Sequence, residues 1–228
     1  GDHRDLHSFP TRRSSDLNRW RKRVFRYLGH EKVVVRFLSL YALGLSLFFF
    51  AWFISYLFLP EGVIREFSAL TPHAGTDAAD TVMREFLRIF GVNLIGFLMI
   101  LLGNFILRVR TISFGYLVPL AWMIFYGITL GTNSFSLPLA EPLAPTLAVF
   151  RRSGLYELAA AVLLAVSTNT ISINKSETFR SSSSPVPKEE RRGLSREEWL
   201  GTLLSVLILA GAVYREAVMV VQVSGGAG

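Results

Sequence analysis

Five apolar runs, each close to the length that crosses a bilayer, predict an all-α fold: a polytopic membrane helix bundle with five transmembrane helices. Three observations carry this expectation. Apolar residues make up 51% of the 228-residue chain and mean hydropathy is +0.40, which is usual for polytopic membrane proteins and unusual for water-soluble domains. The runs hold about 20 residues, enough helix to cross a hydrocarbon core of about 30 Å. Lys and Arg gather at the ends of the runs, the charge distribution that membrane topology imposes. The net charge of +7 is explained in this way without nucleic acid as a partner.

Ser8-Phe9-Pro10-Thr11-Arg12-Arg13-Ser14-Ser15-Asp16-Leu17 reads as the translation of a common short-read sequencing adapter, with ten consecutive matches. Residues 1–17 are therefore set apart as a disordered artefact, and the sequence does not give the native start upstream of residue 18. Residues 18–36 carry Arg19, Arg21, Lys22, Arg23, Arg26, Lys32 and Arg36 against the single acid Glu31, which predicts a cytoplasmic N-terminal segment.

The first span is Phe37–Leu59, without a charge. The second is Ile89–Leu107, followed by a turn with Arg108 and Arg110, and the third is Ile112–Ser136. Pro119 in the third is tolerated where neighbours satisfy the freed carbonyl. Leu155–Ile173 is the fourth span and Trp199–Val223 the fifth, together completing a membrane domain over residues 37–223. The loop Pro60–Arg88 then lies outside, and residues 174–198 form a cytoplasmic linker containing the Ser181–Ser184 run, a flexible low-complexity composition. Arg151 and Arg152 depart from this charge rule, because the scheme sets them on the outer side. Val82, Phe86 and Ile89 fit either an amphipathic helix in the outer loop or an early start of span two. Ser195 and Glu198 have capping-box spacing and predict the start of the fifth helix.

The residue inventory narrows the chemistry. Without cysteine there is no disulfide, thiolate metal site or Cys nucleophile. His3, His7, His30 and His73 all fall outside the spans, and no span contains Asp, Lys or His. A serine nucleophile would have no base there, and an aspartyl dyad is absent. Glu189-Glu190 and Glu197-Glu198 resemble the glutamate pairs of membrane prenyl-proteases but lack an intramembrane His. No Walker or dinucleotide motif occurs. The expectation is a protein with no catalytic residues, no metal and no cofactor.

Depth singles out the polar residues. At a rise of about 1.5 Å per residue, Glu157 begins an inward-running helix and Glu216 lies near the end of an outward-running one. Asn93, Thr132 and Asn133 fall at the same outer level. Charges inside spans are costly and usually have a purpose, so Asn93, Glu157 and Glu216 are expected to form an intramembrane polar cluster, with Arg152 and Arg215 as counter-charges. The competing expectation is separate residues, each snorkelling to water. Gly127 and Gly131 form a GxxxG pair in span three, and Ala159, Ala160, Ala161 and Ala165 give span four a slim surface. Both features allow close helix approach.

Phe90-Gly91-Val92-Asn93-Leu94, Ser113-Phe114-Gly115 and Gly154-Leu155-Tyr156-Glu157-Leu158-Ala159-Ala160 resemble the motifs of the stage II sporulation protein M family over residues 37–223. Asn93, Gly115, Gly154, Glu157, Leu158 and Ala160 match that pattern, and Glu216 resembles the acid closing the family's last span. Ser153 stands where the family has His, Ala159 where it has Pro, and Phe114 where it has Asn. The resemblance implies a multi-pass cell-membrane protein acting as a scaffold, with the lipid bilayer around it and a membrane or extracytoplasmic protein as partner, the Pro60–Arg88 loop being the natural contact surface. The alternative is a transporter or permease subunit using Glu157 and Glu216 as proton or cation sites.

Overall fold

The fold is seen in a computed structural model that describes residue 19 and residues 23–65, 81–135, 141–146, 154–178 and 181–225. Residues 1–17, Arg151, Arg152 and most of the expected outer loop lie outside these. Helix α1 is Val33–Phe58 and α2 is Val82–Ile106. A short hairpin of β1 (Arg108–Val109) and β2 (Ile112–Ser113) leads through a 3-10 turn, Phe114–Tyr116, into α3 (Leu117–Gly131). Helix α4 is Gly154–Ser167, β3 is Asn174–Ser176, β4 is Ser184–Pro185, and α5 is Arg196–Gly225. The helices alternate in direction. One end of the bundle gathers a four-stranded sheet of order β2-β1-β3-β4, in which β1 pairs antiparallel with β2 and parallel with β3. It is called the sheet end below.

Helices α1, α2 and α5, and α3 with its preceding turn, are long and apolar enough to cross a membrane, while α4 is a shorter apolar helix. The outward faces of the long helices are apolar, with Phe50, Phe58, Leu98, Phe125 and Leu207 all exposed. A lipid-facing surface needs this character. Helix α4 differs because Leu158, Ala160, Ala161, Val162, Leu163, Leu164, Ala165 and Val166 are all buried. Beyond its first turn, where Tyr156 is exposed, the helix is enclosed and must admit neighbours closely, and its alanines supply that slimness. Its most extensive packing is on α5, and α1 packs most extensively on α3.

The α1–α3 contact is set by the GxxxG pair. A Cβ at Gly127 would stand 2.5 Å from Phe48 O, and one at Gly131 would stand 2.8 Å from both Trp52 O and Tyr56 N. The two backbones therefore touch where these glycines lie, within one chain.

Span three, read as Ile112–Ser136, opens on the strand Ile112–Ser113 and its helix ends at Gly131; three further differences separate the structure from the sequence expectation. Helix α2 starts at Val82, so Val82, Phe86 and Ile89 lie in its first turns. Thr81 caps it by accepting from Arg84 N, and Phe86 stacks on Phe90 and meets Tyr214 edge-on. The second correction concerns span four, expected to reach Ile173. Its helix ends at Ser167, about 21 Å long at the usual rise, and residues 168–173 continue as turn and extended chain in which Thr168, Asn169 and Ser172 are buried. Non-helical backbone at such depth is tolerated only inside protein, and this segment is held there. Asn104 O, Phe105 O and Ile106 O, the last carbonyls of α2, accept from Ser172 Oγ (2.6 Å), Ile173 N (2.8 Å) and Asn174 Nδ2 (2.9 Å). Two helix ends thus satisfy one another. The third difference is the sheet, which draws residues 174–176 and 184–185 of the expected flexible linker into ordered strands.

Gly131→Ala should lower stability by about 1–3 kcal/mol, because the added Cβ meets the Trp52 and Tyr56 backbone as well as Ser55 Oγ, and the backbone cannot step aside. Gly211→Ala should be neutral or slightly stabilising, since a Cβ there meets nothing within 4 Å and alanine is the better helix former. Thermal unfolding of both variants in detergent checks the contrast.

Candidate functional site

Antiparallel packing of α4 on α5 brings the first turn of α4 to the far part of α5, at the end of the bundle opposite the sheet. There the side chains of Glu157 and Glu216 approach one another. Glu157 Oε1 is buried without a hydrogen-bond partner. Arg215 is exposed, and among the described residues no cation pairs with either glutamate. Consecutive helical residues diverge by about 100°, so Arg215 is directed away from the contact that Glu216 makes. Arg152 lies outside the described residues.

The other polar residues of that level are arranged differently. Asn93 is buried, and its Nδ2 donates to Ile89 O of its own helix at 3.1 Å; among the described residues it has no hydrogen bond to Glu157 or Glu216. Thr132 and Asn133 are fully buried but belong to a second network. Asn133 adopts a left-handed conformation, φ 50°, which suits Asn after a helix C-terminus. It donates to Glu61 Oε1 at 2.7 Å, and its carbonyl accepts from Arg65 at 2.9 Å. Gly62 N donates to Thr132 O at 2.6 Å. The five positions thus form a carboxyl pair, a turn-locking network, and an Asn bonded to its own helix.

Buried polar groups missed at the sequence level lie mostly at the sheet end. Arg36, read from sequence as a topological charge, is 3% exposed and binds Glu198 Oε1 at 3.1 Å; Arg192 reaches the same oxygen at 3.2 Å. Glu198 also accepts from Ser195 N at 2.9 Å and Ser195 Oγ accepts from Glu198 N at 3.3 Å, which completes the capping box. Glu197 caps the start of α1, accepting from Val33 N at 2.8 Å. The signal for Arg36 was its spacing: it shares a helix face with Leu40, Gly44 and Phe48, all buried.

Asn104, fully buried in α2, donates to Ala165 O (2.8 Å) and Thr168 Oγ1 (2.6 Å) and accepts from Ser113 Oγ. Asn169 ties the hairpin to α4, accepting from Ser113 N at 2.9 Å and donating to Thr111 O at 3.1 Å. Gly115 makes room for this network, since a Cβ there would lie 2.6 Å from Asn104 Cγ. An Asn inside an apolar run is signal enough to expect a protein-facing position. Glu85, expected in the outer loop, is instead buried in the first turn of α2 and paired with Arg88 at 2.5 Å.

These features define a multi-pass membrane helix bundle with a carboxyl pair at one end and a hydrogen-bonded, charge-paired cap at the other. Among the described residues no group of three or more His, Cys, Asp or Glu is arranged to hold a metal ion. Comparison with family models, with curated proteins and with solved structures finds no match to the chain.

Glu157→Gln and Glu216→Gln should each cost little, because a carboxamide can donate as a protonated carboxyl does. The double variant should depart from the sum of the singles by about 0.5 kcal/mol or more, the coupling expected of groups in contact. Folded yield and thermal unfolding in detergent measure the cycle, and strict additivity would contradict a contact between the two side chains.

Proposed function

We propose that the protein is a non-enzymatic membrane scaffold of the stage II sporulation protein M type, seated in the cell membrane with its N-terminus and sheet end cytoplasmic. The observation that carries this reading is the cross-linked construction of the bundle. The enclosed body of α4, from Ala160 to Ser167, ties the long helices together, and the sheet end is fastened by the Asn104 network and the Arg36–Glu198–Arg192 group. A body braced in this way suits a platform that presents its surface to other proteins. The cytoplasmic assignment is supported by charge. At the sheet end the described residues include twelve Lys and Arg against six Glu, and at the other end four Arg against five Glu; cytoplasmic segments carry such an excess of bases.

A second reading is favoured by one observation, the half-buried Glu157 and Glu216 side chains facing each other with no cation paired to them among the described residues. Under it the chain is a transporter or permease subunit that takes up a proton or cation at the pair. Crosslinking in native membranes followed by mass spectrometry separates the two. A stable, stoichiometric protein partner is the scaffold's expected outcome. Proton-coupled flux by the purified chain in liposomes, abolished by Glu157→Gln, would favour the transporter.

A further inference from the structure

The charges at the sheet end fall into two classes. Arg36 and Arg192 are taken by Glu198, and Lys175 by Glu190. Arg23, Arg26, Lys32 and Arg196 are exposed and, among the described residues, form no ion pair. Their placement is fixed by the fold. Val24 and Leu28 of the helical turn at residues 23–28 pack on the core, and Leu28 O accepts from Tyr116 Oη at 3.2 Å. That anchorage leaves Arg23, Arg26 and Tyr27 on the outer face. The bond from Val33 N to Glu197 Oε1 makes Lys32 and Arg196 neighbours on the rim, although they are far apart in sequence.

Immediately below these cations the surface turns apolar and aromatic. Tyr27 is 54% exposed and Trp199, one turn into α5, is 62% exposed. Exposed Trp and Tyr at helix ends sit at the level of lipid headgroups, and cations just beyond them attract the anionic leaflet surface. An acidic protein or a nucleic acid would complement the charge but not the aromatic rim below it. We propose that the sheet end carries a docking surface for anionic phospholipid headgroups, formed by Arg23, Arg26, Lys32 and Arg196 above Tyr27 and Trp199. It rests on the membrane reading of the bundle and not on the scaffold role. Bound lipid brings phosphate oxygens against four unpaired cations, while its chains cover the exposed flank of α5.

The test offers the purified protein equimolar phosphatidylglycerol and phosphatidylcholine in mixed micelles and counts retained lipid by native mass spectrometry. The wild-type chain should retain phosphatidylglycerol over phosphatidylcholine by about tenfold or more, a preference of the size that several surface bases confer. The combined variant Arg23→Gln, Arg26→Gln, Lys32→Gln, Arg196→Gln should fall to about twofold or less. The pair Lys32→Gln, Arg196→Gln should fall between, so the proposal stays testable if the fourfold change folds poorly. Arg215→Gln, at the other end, should keep the wild-type ratio. Equal retention of the two lipids by the wild-type chain, or a preference that survives in both rim variants, overturns the proposal.

Discussion

Helix α4 ends inside the bundle, and every backbone group freed there must find a partner in protein. The last four carbonyls of a helix lack intrahelical partners, and an unpaired polar group away from water costs about 1–3 kcal/mol. Asn104 meets much of this need. Its amide donates to Ala165 O and Thr168 Oγ1, while Leu164 O accepts from Thr168 N at 3.1 Å and from Thr168 Oγ1 at 2.8 Å. In return the carbonyls that end α2 accept from residues 172–174. The parallel pairing of β1 with β3 follows directly, because the chains leaving α2 and α4 are already side by side. The sheet is a consequence of closing two helix ends with one set of hydrogen bonds.

The two ends of the bundle handle charge in different ways. At the sheet end Glu198 serves two arginines and a helix cap at once, so its burial is compensated several times over. Removing one partner from such a group typically costs more than the pair contributes, because an uncompensated charge remains. At the other end the side chains of Glu157 and Glu216 approach one another, and among the described residues no cation pairs with either. This difference gives the bundle one firmly paired cap and one end where, among the described residues, two carboxyl groups face each other without a basic partner.

Much of this architecture was legible in the sequence where a single physical rule governs. Unbroken apolar length marked α1, α2, α3 and α5, the Ser195–Glu198 spacing marked the start of α5, and the small residues of spans three and four marked the close contacts. Depth alone was enough to bring Glu157 and Glu216 together. It was not enough to separate Thr132 and Asn133, which share that level but answer to Glu61, Gly62 and Arg65 of the turn after α1. Hydropathy could not find the end of α4, because Ile171 and Ile173 keep the run apolar; the better clue was Thr168, Asn169, Thr170 and Ser172, four side chains able to bond backbone locally. Strands of two or three residues leave no period to read. Asn93 and Asn104 are the same residue type in the same span, and only the fold distinguishes the one bonded to its own helix from the one that organises its neighbours.

Hydrogen–deuterium exchange on the protein reconstituted in lipid bears most directly on the enclosed α4 and its buried continuation. Buried, protein-bonded amides exchange only through opening of the surrounding structure. Peptides covering residues 158–173 should therefore exchange as slowly as the core of α1, with residues 168–173 no faster than the helix before them, and Asn104→Ala should accelerate 168–173 selectively. Exchange of residues 168–173 in the wild-type protein as fast as that of the exposed turn Lys188–Glu190 would contradict the account.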